Sequence, residues 1–348
     1  VVEKLVETTP RAPARPLWRE LLGRRELWTL TALLAIWLVL ALLPGSQFLQ
    51  IRNVNGRLLG SLIEIFNDSA PIMLLAIGMT LVVGTKGIDL SVGSVIAISG
   101  ATAAVLIRTQ SVEVSLLAAV AAGLLCGLWN GTLVALLNIQ PFIATLILMV
   151  VGRGIAQLIT SGQIAIFNND ALAFAGAGVL FSVPFPIFLA LTAVIIVYLL
   201  VRRTALGLLI ESVGANDRAS YYTGINAASI KMLVYIISGL CAAIAGLIYM
   251  GYIKGADANN AGLLTELDAI LAVVIGGTSL NGGRFHLIPS MLGVLIIQSL
   301  NTGILIRGVP SQYFLIVKAI LILMILLLQS EEFRETLARG ARRVRGAA

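Results

Sequence analysis

The fold this sequence predicts is all-α: a polytopic membrane helical bundle of about ten transmembrane helices, with broken helices in two related halves. Three observations predict it. Hydrophobic residues make up 58% of the 348 and charged residues only 12%, against about 25% charged in ordinary soluble domains. Several apolar runs approach or reach the roughly 20 residues that a helix needs to cross a hydrocarbon core of about 30 Å. Strict apolar/polar alternation, the mark of a membrane barrel strand, is absent, and lipid admits only helices or closed barrels.

Taken in order, residues 1–27 form a polar Pro- and Arg-containing tail, expected to stay cytoplasmic and to precede a retained anchor rather than a cleaved leader. The transmembrane domain then covers 28–329. Its spans are expected at Trp28–Leu43, closed by Pro44-Gly45, at about Ala70–Val83, Val95–Ile107, Val114–Leu137, Phe142–Thr160, Val179–Val201, Ile230–Met250, the short Leu267–Ile275, Leu287–Ile306 and Phe314–Leu328. Residues 46–69 read as a polar connection with an amphipathic stretch at Leu58–Phe66, and 161–178 as a loop. Residues 330–348 are a second basic tail. Asn138-Ile139-Gln140-Pro141 reads as a tight turn, since proline disfavours helix in the residue before it.

Charge sets the orientation. With the amino terminus inside, seventeen Lys and Arg fall on inner segments, namely the two tails, Lys86, residues 202–231 and Arg284. Five fall outside, at Arg52, Arg57, Arg108, Lys254 and Arg307. The positive-inside rule therefore places both termini in the cytoplasm. No basic stripe interleaved with aromatics follows, so the net charge of +7 points to the membrane and not to nucleic acid. Cys126 and Cys241 are the only cysteines and His286 the only histidine, which excludes a disulfide framework and a zinc site.

Two glycine-rich interruptions sit at comparable places in the two halves, Gly84–Gly93 and Gly276–Gly283. Paired breaks of this kind point to a translocation site between repeats, or else to tight loops at the membrane surface. Asp89, the only acid in the first break, is either a gate or sugar-contacting group, or a cap or partner of Lys86 that steadies the turn. Trp129, Asn130, Thr145, Gln157, Gln298 and Asn301 put polar groups inside apolar spans. Amides and aromatic faces suit hydroxyl-rich sugars, although such amides also join helices. Residues 202–229 mix apolar Leu208, Leu209, Ile210, Val213 and Tyr222 with Glu211, Asn216, Asp217 and Arg218, a pattern suited to short amphipathic helices at the cytoplasmic face. No Gly-Lys pair occurs in the chain, so the phosphate loop of an ATPase is missing.

Ala76-Ile77-Gly78-Met79-Thr80-Leu81 with Gly87-Ile88-Asp89-Leu90-Ser91-Val92-Gly93-Ser94, Asn130-Gly131, Gln140-Pro141-Phe142-Ile143-Ala144-Thr145-Leu146, Gly152-Arg153-Gly154 and Glu266-Leu267-Asp268-Ala269-Ile270 through Gly283 resemble, in order, the permeases of bacterial monosaccharide ABC importers of the ribose/galactose/xylose class. Gly255–Gly262 is similar to the galactofuranose importers of that class. The resemblance implies an inner-membrane permease subunit, not itself an enzyme. Its implied partners are a cytoplasmic ATPase with two fused nucleotide-binding domains that holds ATP and Mg, a second permease (identical or homologous), and a periplasmic sugar-binding protein. It implies no cofactor on this chain. It implies a pathway or gate at Asp89, Trp129, Asn130, Phe142, Thr145, Asn259, Asn260, Glu266, Gln298 and Asn301, and ATPase coupling through Glu211, Gly214, Asn216, Ala219 and Gly224. An ion-coupled secondary sugar transporter is the alternative; Asp89, Glu266 and Asp268 are its only candidate acids near the breaks.

Overall fold

The structure, a computed structural model, describes residues 25–43, 48–54 and 56–329. The Pro44-Gly45 stop, most of the first tail and the second tail lie outside these residues. Thirteen α-helices follow in chain order: α1 Arg25–Leu42, α2 Ser61–Gly84, α3 Val92–Leu106, α4 Val112–Gly131, α5 Pro141–Ile159, α6 Asp170–Ala177, α7 Phe185–Arg203, α8 Leu206–Ala215, α9 Asp217–Tyr222, α10 Ala227–Ile253, α11 Thr265–Ile275, α12 Leu287–Ile306 and α13 Ser311–Gln329. Six strands, β1 Arg52–Val54, β2 Arg57–Leu59, β3 Ala165–Ile166, β4 Val179–Leu180, β5 Val183–Pro184 and β6 Gly255–Ala256, pair antiparallel as β1–β2, β3–β6 and β4–β5.

Among the described residues, α2, α4 with its terminal turn, α5, α7, α10 and α12 are long and apolar enough to cross a membrane. The apolar parts of α1, α3 and α13 are shorter, and α11 has 11 residues, about 16 Å of helix. Sequence and structure agree on α12 to the residue. They part at α2, which begins nine residues before Ala70 and takes in Pro71 and the amphipathic stretch from Ser61 on, Leu58 and Leu59 belonging to β2. Asn67, Ser69 and Pro71 look like a span boundary, but all three are buried between helices, so the helix continues through them. The sixth span likewise starts later than expected, because Val179–Pro184 turns back as the β4–β5 hairpin before Pro184 and Pro186 open α7. Residues 161–178 are not a bare loop: they hold β3 and α6, which Asn169 caps by accepting from the Leu172 N–H at 3.0 Å.

α2 and α10 form the centre. α2 is 83% buried over its most apolar window and α7 only 17%, which separates an inner helix from an outer one. α10 packs on α2, α3 and α4, while α12 packs on α1, α2 and α11. The connecting segments gather at two ends. At one end the Leu58 N–H donates to the Ser182 carbonyl at 2.8 Å, Arg108 donates to the Ile166 carbonyl at 3.3 Å, and Lys254 pairs with Asp170 at 2.7 Å. At the other, named the inner end after the orientation that the charge asymmetry predicts, with the first as the outer end, Thr85–Ile88, the α8–α9 segment and Gly282–Gly283 meet. These two ends group the segments as the charge asymmetry does: Arg52, Arg57, Arg108 and Lys254 with one, Lys86, residues 202–231 and Arg284 with the other.

Candidate functional site

The first break enters the bundle. Gly84 ends α2, yet Asp89 accepts a hydrogen bond from the Ser238 hydroxyl at 2.7 Å. Ser238 packs on Gly78, where a β-carbon would stand 2.7 Å from the Ser238 Cα. Gly78 lies six residues before the helix end, so the chain has climbed back by about 9 Å before α3 starts. The other Asp89 oxygen accepts from the Ser91 N–H at 3.0 Å and the Ser91 hydroxyl at 2.6 Å. Asn130 donates to the Ser91 hydroxyl at 2.8 Å and lies 3.5 Å from Asp89. Thr145 donates to the Ile88 carbonyl at 3.1 Å, fixing the break to α5. Asp89, Asn130 and Thr145 are thus brought together, at 2%, 1% and 0% exposure. Of the two local roles expected for Asp89, the Lys86–Asp89 pair is not formed, Lys86 being exposed with φ +67°, whereas Asp89 does accept from the Ser91 N–H in the turn before α3.

The second break at depth is residues 254–264 rather than the 276–283 cluster. Gly255 and Ala256 pair with β3 beyond one end of α3, while the Gly262 carbonyl meets Gly93, the second residue of α3. Between these points residues 258–264 form consecutive turns, with the Ala261 N–H donating to the Asp257 carbonyl at 2.9 Å and the Leu263 N–H to the Asn260 carbonyl at 3.1 Å. Backbone carbonyls exposed in this way need donors. Arg153 of α5 supplies them, donating to the carbonyls of Ala258 at 3.1 Å and Ala261 at 2.6 Å. Gln157 donates to Asn259 at 2.7 Å, Asn260 donates to Asp257 at 2.7 Å, and Glu266 is buried beside Gly93, where a β-carbon would approach its carboxylate to 2.5 Å. The 276–283 cluster instead closes the inner end, where the Gly283 N–H donates to the Gly84 carbonyl at 3.1 Å.

Around the start of α3 the first break, with Asp89, Asn130 and Thr145, meets Gly262 and Glu266 of the second, while Asn259 stands at Gln157, twelve residues and about 18 Å of helix along α5 from Thr145. Gln298 and Asn301 are elsewhere: Asn301 donates to Gln298 at 3.1 Å, and Gln298 reaches Asp68 of α2 at 3.4 Å. Trp129 does not join Asn130; it is 53% exposed on the outer side of α4, because adjacent residues on a helix point about 100° apart. Phe142 is half-exposed and lines a cavity at the inner end. The residues missed in the sequence are Ser91, Ser238 and Arg153, together with Lys318, which pairs with Asp268 at 2.7 Å within the bundle. A lone Arg in a span was the one available signal for Arg153, since intramembrane charges carry partners.

The expected coupling residues cluster at the inner end. Gly214 is buried where α8 abuts both Gly84 and Gly283; a side chain there would drive its first carbon into the Gly84 carbonyl and to 2.6 Å from the Gly283 nitrogen. Asn216 caps α9 by accepting from the Ala219 N–H at 3.0 Å. Ala219 is exposed, Gly224 turns the chain at φ +84°, and Glu211 faces a second cavity of about 490 Å³ with Arg202 and Phe285.

Comparison with known proteins adds the lineage. The chain is 55% identical over 90% of its length, and 92% of the relative's, to the galactofuranose transporter permease protein YtfT of Escherichia coli. It is 40% identical over 93% of both chains to the fructose import permease protein FruF of Bifidobacterium longum. It is 36% identical over 84% of its length, and 93% of the relative's, to the ribose import permease protein RbsC of Escherichia coli. No solved structure matches it. The family model described as branched-chain amino acid transport system / permease component matches residues 61–326. With the model and these relatives spanning almost the whole bundle, the chain belongs to this permease family.

Proposed function

We propose that this chain is the translocating permease subunit of a monosaccharide ABC importer, with galactofuranose as its substrate. The observation that carries the mechanism is the three-way contact of Gly84, Gly214 and Gly283. Through it the end of α8 touches the last residue of α2, so a push on the α8–α9 segment reaches the break that holds Asp89. A separate ATPase with two fused nucleotide-binding domains, carrying ATP and Mg, supplies that push. A second permease completes the pathway, and a periplasmic binding protein delivers the sugar. The complex sits in the bacterial inner membrane with both termini of this chain cytoplasmic. In this reading Asp89, Asn130, Thr145, Asn259, Asn260 and Glu266 flank the pathway, and Glu211, Asn216, Ala219 and Gly224 shape the ATPase contact. The sugar is favoured over an amino acid by the names of all three relatives, and galactofuranose by the 55% identity.

The ion-coupled alternative needs titratable carboxylates in the pathway. Asp268 is held by Lys318 and Asp89 by three hydrogen-bond donors, and Glu266 is buried within reach of the Arg153 charge and of local backbone donors. The test is uptake of labelled sugars into proteoliposomes that contain the chain, its ATPase and second permease. Binding protein and sugar are placed outside and ATP is trapped inside. ATP-dependent accumulation of galactofuranose over ribose supports the proposal. Accumulation driven by an ion gradient without ATP overturns it.

A further inference from the structure

The inner end holds a cavity of about 670 Å³ between the first break and the coupling segment, bordered by Phe142, Gly214 and Asn216. Small-molecule sites have volumes of about 300–1,000 Å³. Its walls are Thr85–Ile88 of the first break, Gln140–Phe142 at the start of α5, and Val213–Arg218 of the α8–α9 segment. Three cations line it, Lys86, Arg218 and Lys231, against one acid, Asp217. Lys231 is consumed by its pair with Asp217. Lys86 and Arg218 are exposed and have no ion-pair partner among the described residues. Tyr235 forms part of the lining. Its hydroxyl is fully buried without a hydrogen-bond partner, covered by Gly87, whose β-carbon would stand 2.7 Å from that oxygen. Asp89 lies behind this wall with its oxygens already occupied by Ser91 and Ser238.

Two free cations and the Gln140 amide describe a ligand with a dianionic head and a hydroxylated body. We propose that this cavity binds a phosphorylated monosaccharide from the cytoplasm, and that its occupancy slows import. Lys86 and Arg218 hold the phosphate, and the exposed Gln140 amide meets the hydroxyls. A neutral sugar leaves both cations uncompensated, so the imported sugar itself is the wrong ligand. The product of the phosphoryl-transfer reaction that consumes that sugar has the right charge. A ligand there wedges Thr85–Ile88 apart from Val213–Arg218, the two surfaces that must move together when the ATPase pushes. The regulatory half of this inference rests on the importer reading; the binding half does not.

The test titrates the full chain in lipid nanodiscs with glucose 6-phosphate, glucose, inorganic phosphate and AMP. It then measures ATP hydrolysis by the assembled complex with and without glucose 6-phosphate. Expected is a Kd for glucose 6-phosphate below about 1 mM, no binding of glucose, and about tenfold weakening in both Lys86→Gln and Arg218→Gln. Arg218→Lys recovers part of the loss, and Gln140→Leu weakens glucose 6-phosphate but not inorganic phosphate. Within each variant the rate with ligand is compared with its own rate without, so a lowered basal rate does not mask the result. Absence of binding, or binding indifferent to both charge variants, overturns the site. Equal or tighter binding of AMP or inorganic phosphate overturns the sugar-phosphate class. Binding that leaves ATP hydrolysis unchanged overturns the regulation. If the complex performs no ATP-dependent uptake even without ligand, the importer reading fails on its own, and the titration of the isolated chain still decides the site.

Discussion

The two breaks solve one problem with opposite charges. A chain that leaves helical geometry inside a bilayer exposes backbone groups that lipid cannot satisfy. At the first break the solution is an acceptor: Asp89 gathers one N–H and two hydroxyls. At the second it is a donor: Arg153 gathers two carbonyls. The first is sealed by short side chains from α4 and α10 and is almost fully buried. The second is half-open, with Asn259 and Asn260 exposed. A sealed break suits a hinge, whereas an open one suits a surface that a hydroxylated solute meets.

That difference is breakable from both sides. Asp89→Ala strands three buried donors, each worth about 1–3 kcal/mol when left unpaired. It is expected to destabilise the permease by about 3 kcal/mol or more in a detergent thermal-unfolding series and to abolish uptake. Arg153→Met frees two carbonyls in a wetter place, with an expected loss of about 2 kcal/mol. Hydrogen exchange should rise across residues 255–264 while the 85–91 region stays protected; equal deprotection of both breaks would show that they are one unit. Asn130→Leu removes a single donor to Ser91, an interhelical bond of about 1 kcal/mol, and lowers uptake per molecule more than expression. Lys254→Ala is the control at the outer end. The Lys254 ammonium holds the exposed Asp170 carboxyl below its usual range, but such surface pairs are screened, so neither stability nor uptake should change measurably.

The same contrast explains what the sequence could and could not reveal. Helix bodies were legible because apolar length is a local property: α12 begins and ends where Leu287 and Ile306 suggest. Asp89 was legible as an isolated acid among glycines. Its partner Ser238 was not, lying 149 residues away, and no local pattern marks one serine in an apolar helix. For the second glycine cluster the alternative of a tight loop is the one the structure matches, and the break inside the bundle lies elsewhere. Glycine density points to 276–283, where glycines permit close approach at the bundle end. The segment at depth is marked by an arginine more than a hundred residues away that donates to carbonyls every residue carries. Trp129 stands apart from Asn130, 53% exposed, because adjacent residues on a helix point about 100° apart.

The central claim is that α8 acts on the first break through Gly214. The most direct test is Gly214→Ala in the reconstituted complex, reading ATP hydrolysed and sugar accumulated in the same vesicles. The account predicts hydrolysis that continues while accumulation per ATP falls at least about tenfold, a coupling loss of roughly 1.4 kcal/mol. Accumulation per ATP equal to that of the unmodified chain, in a variant that assembles normally, would contradict it.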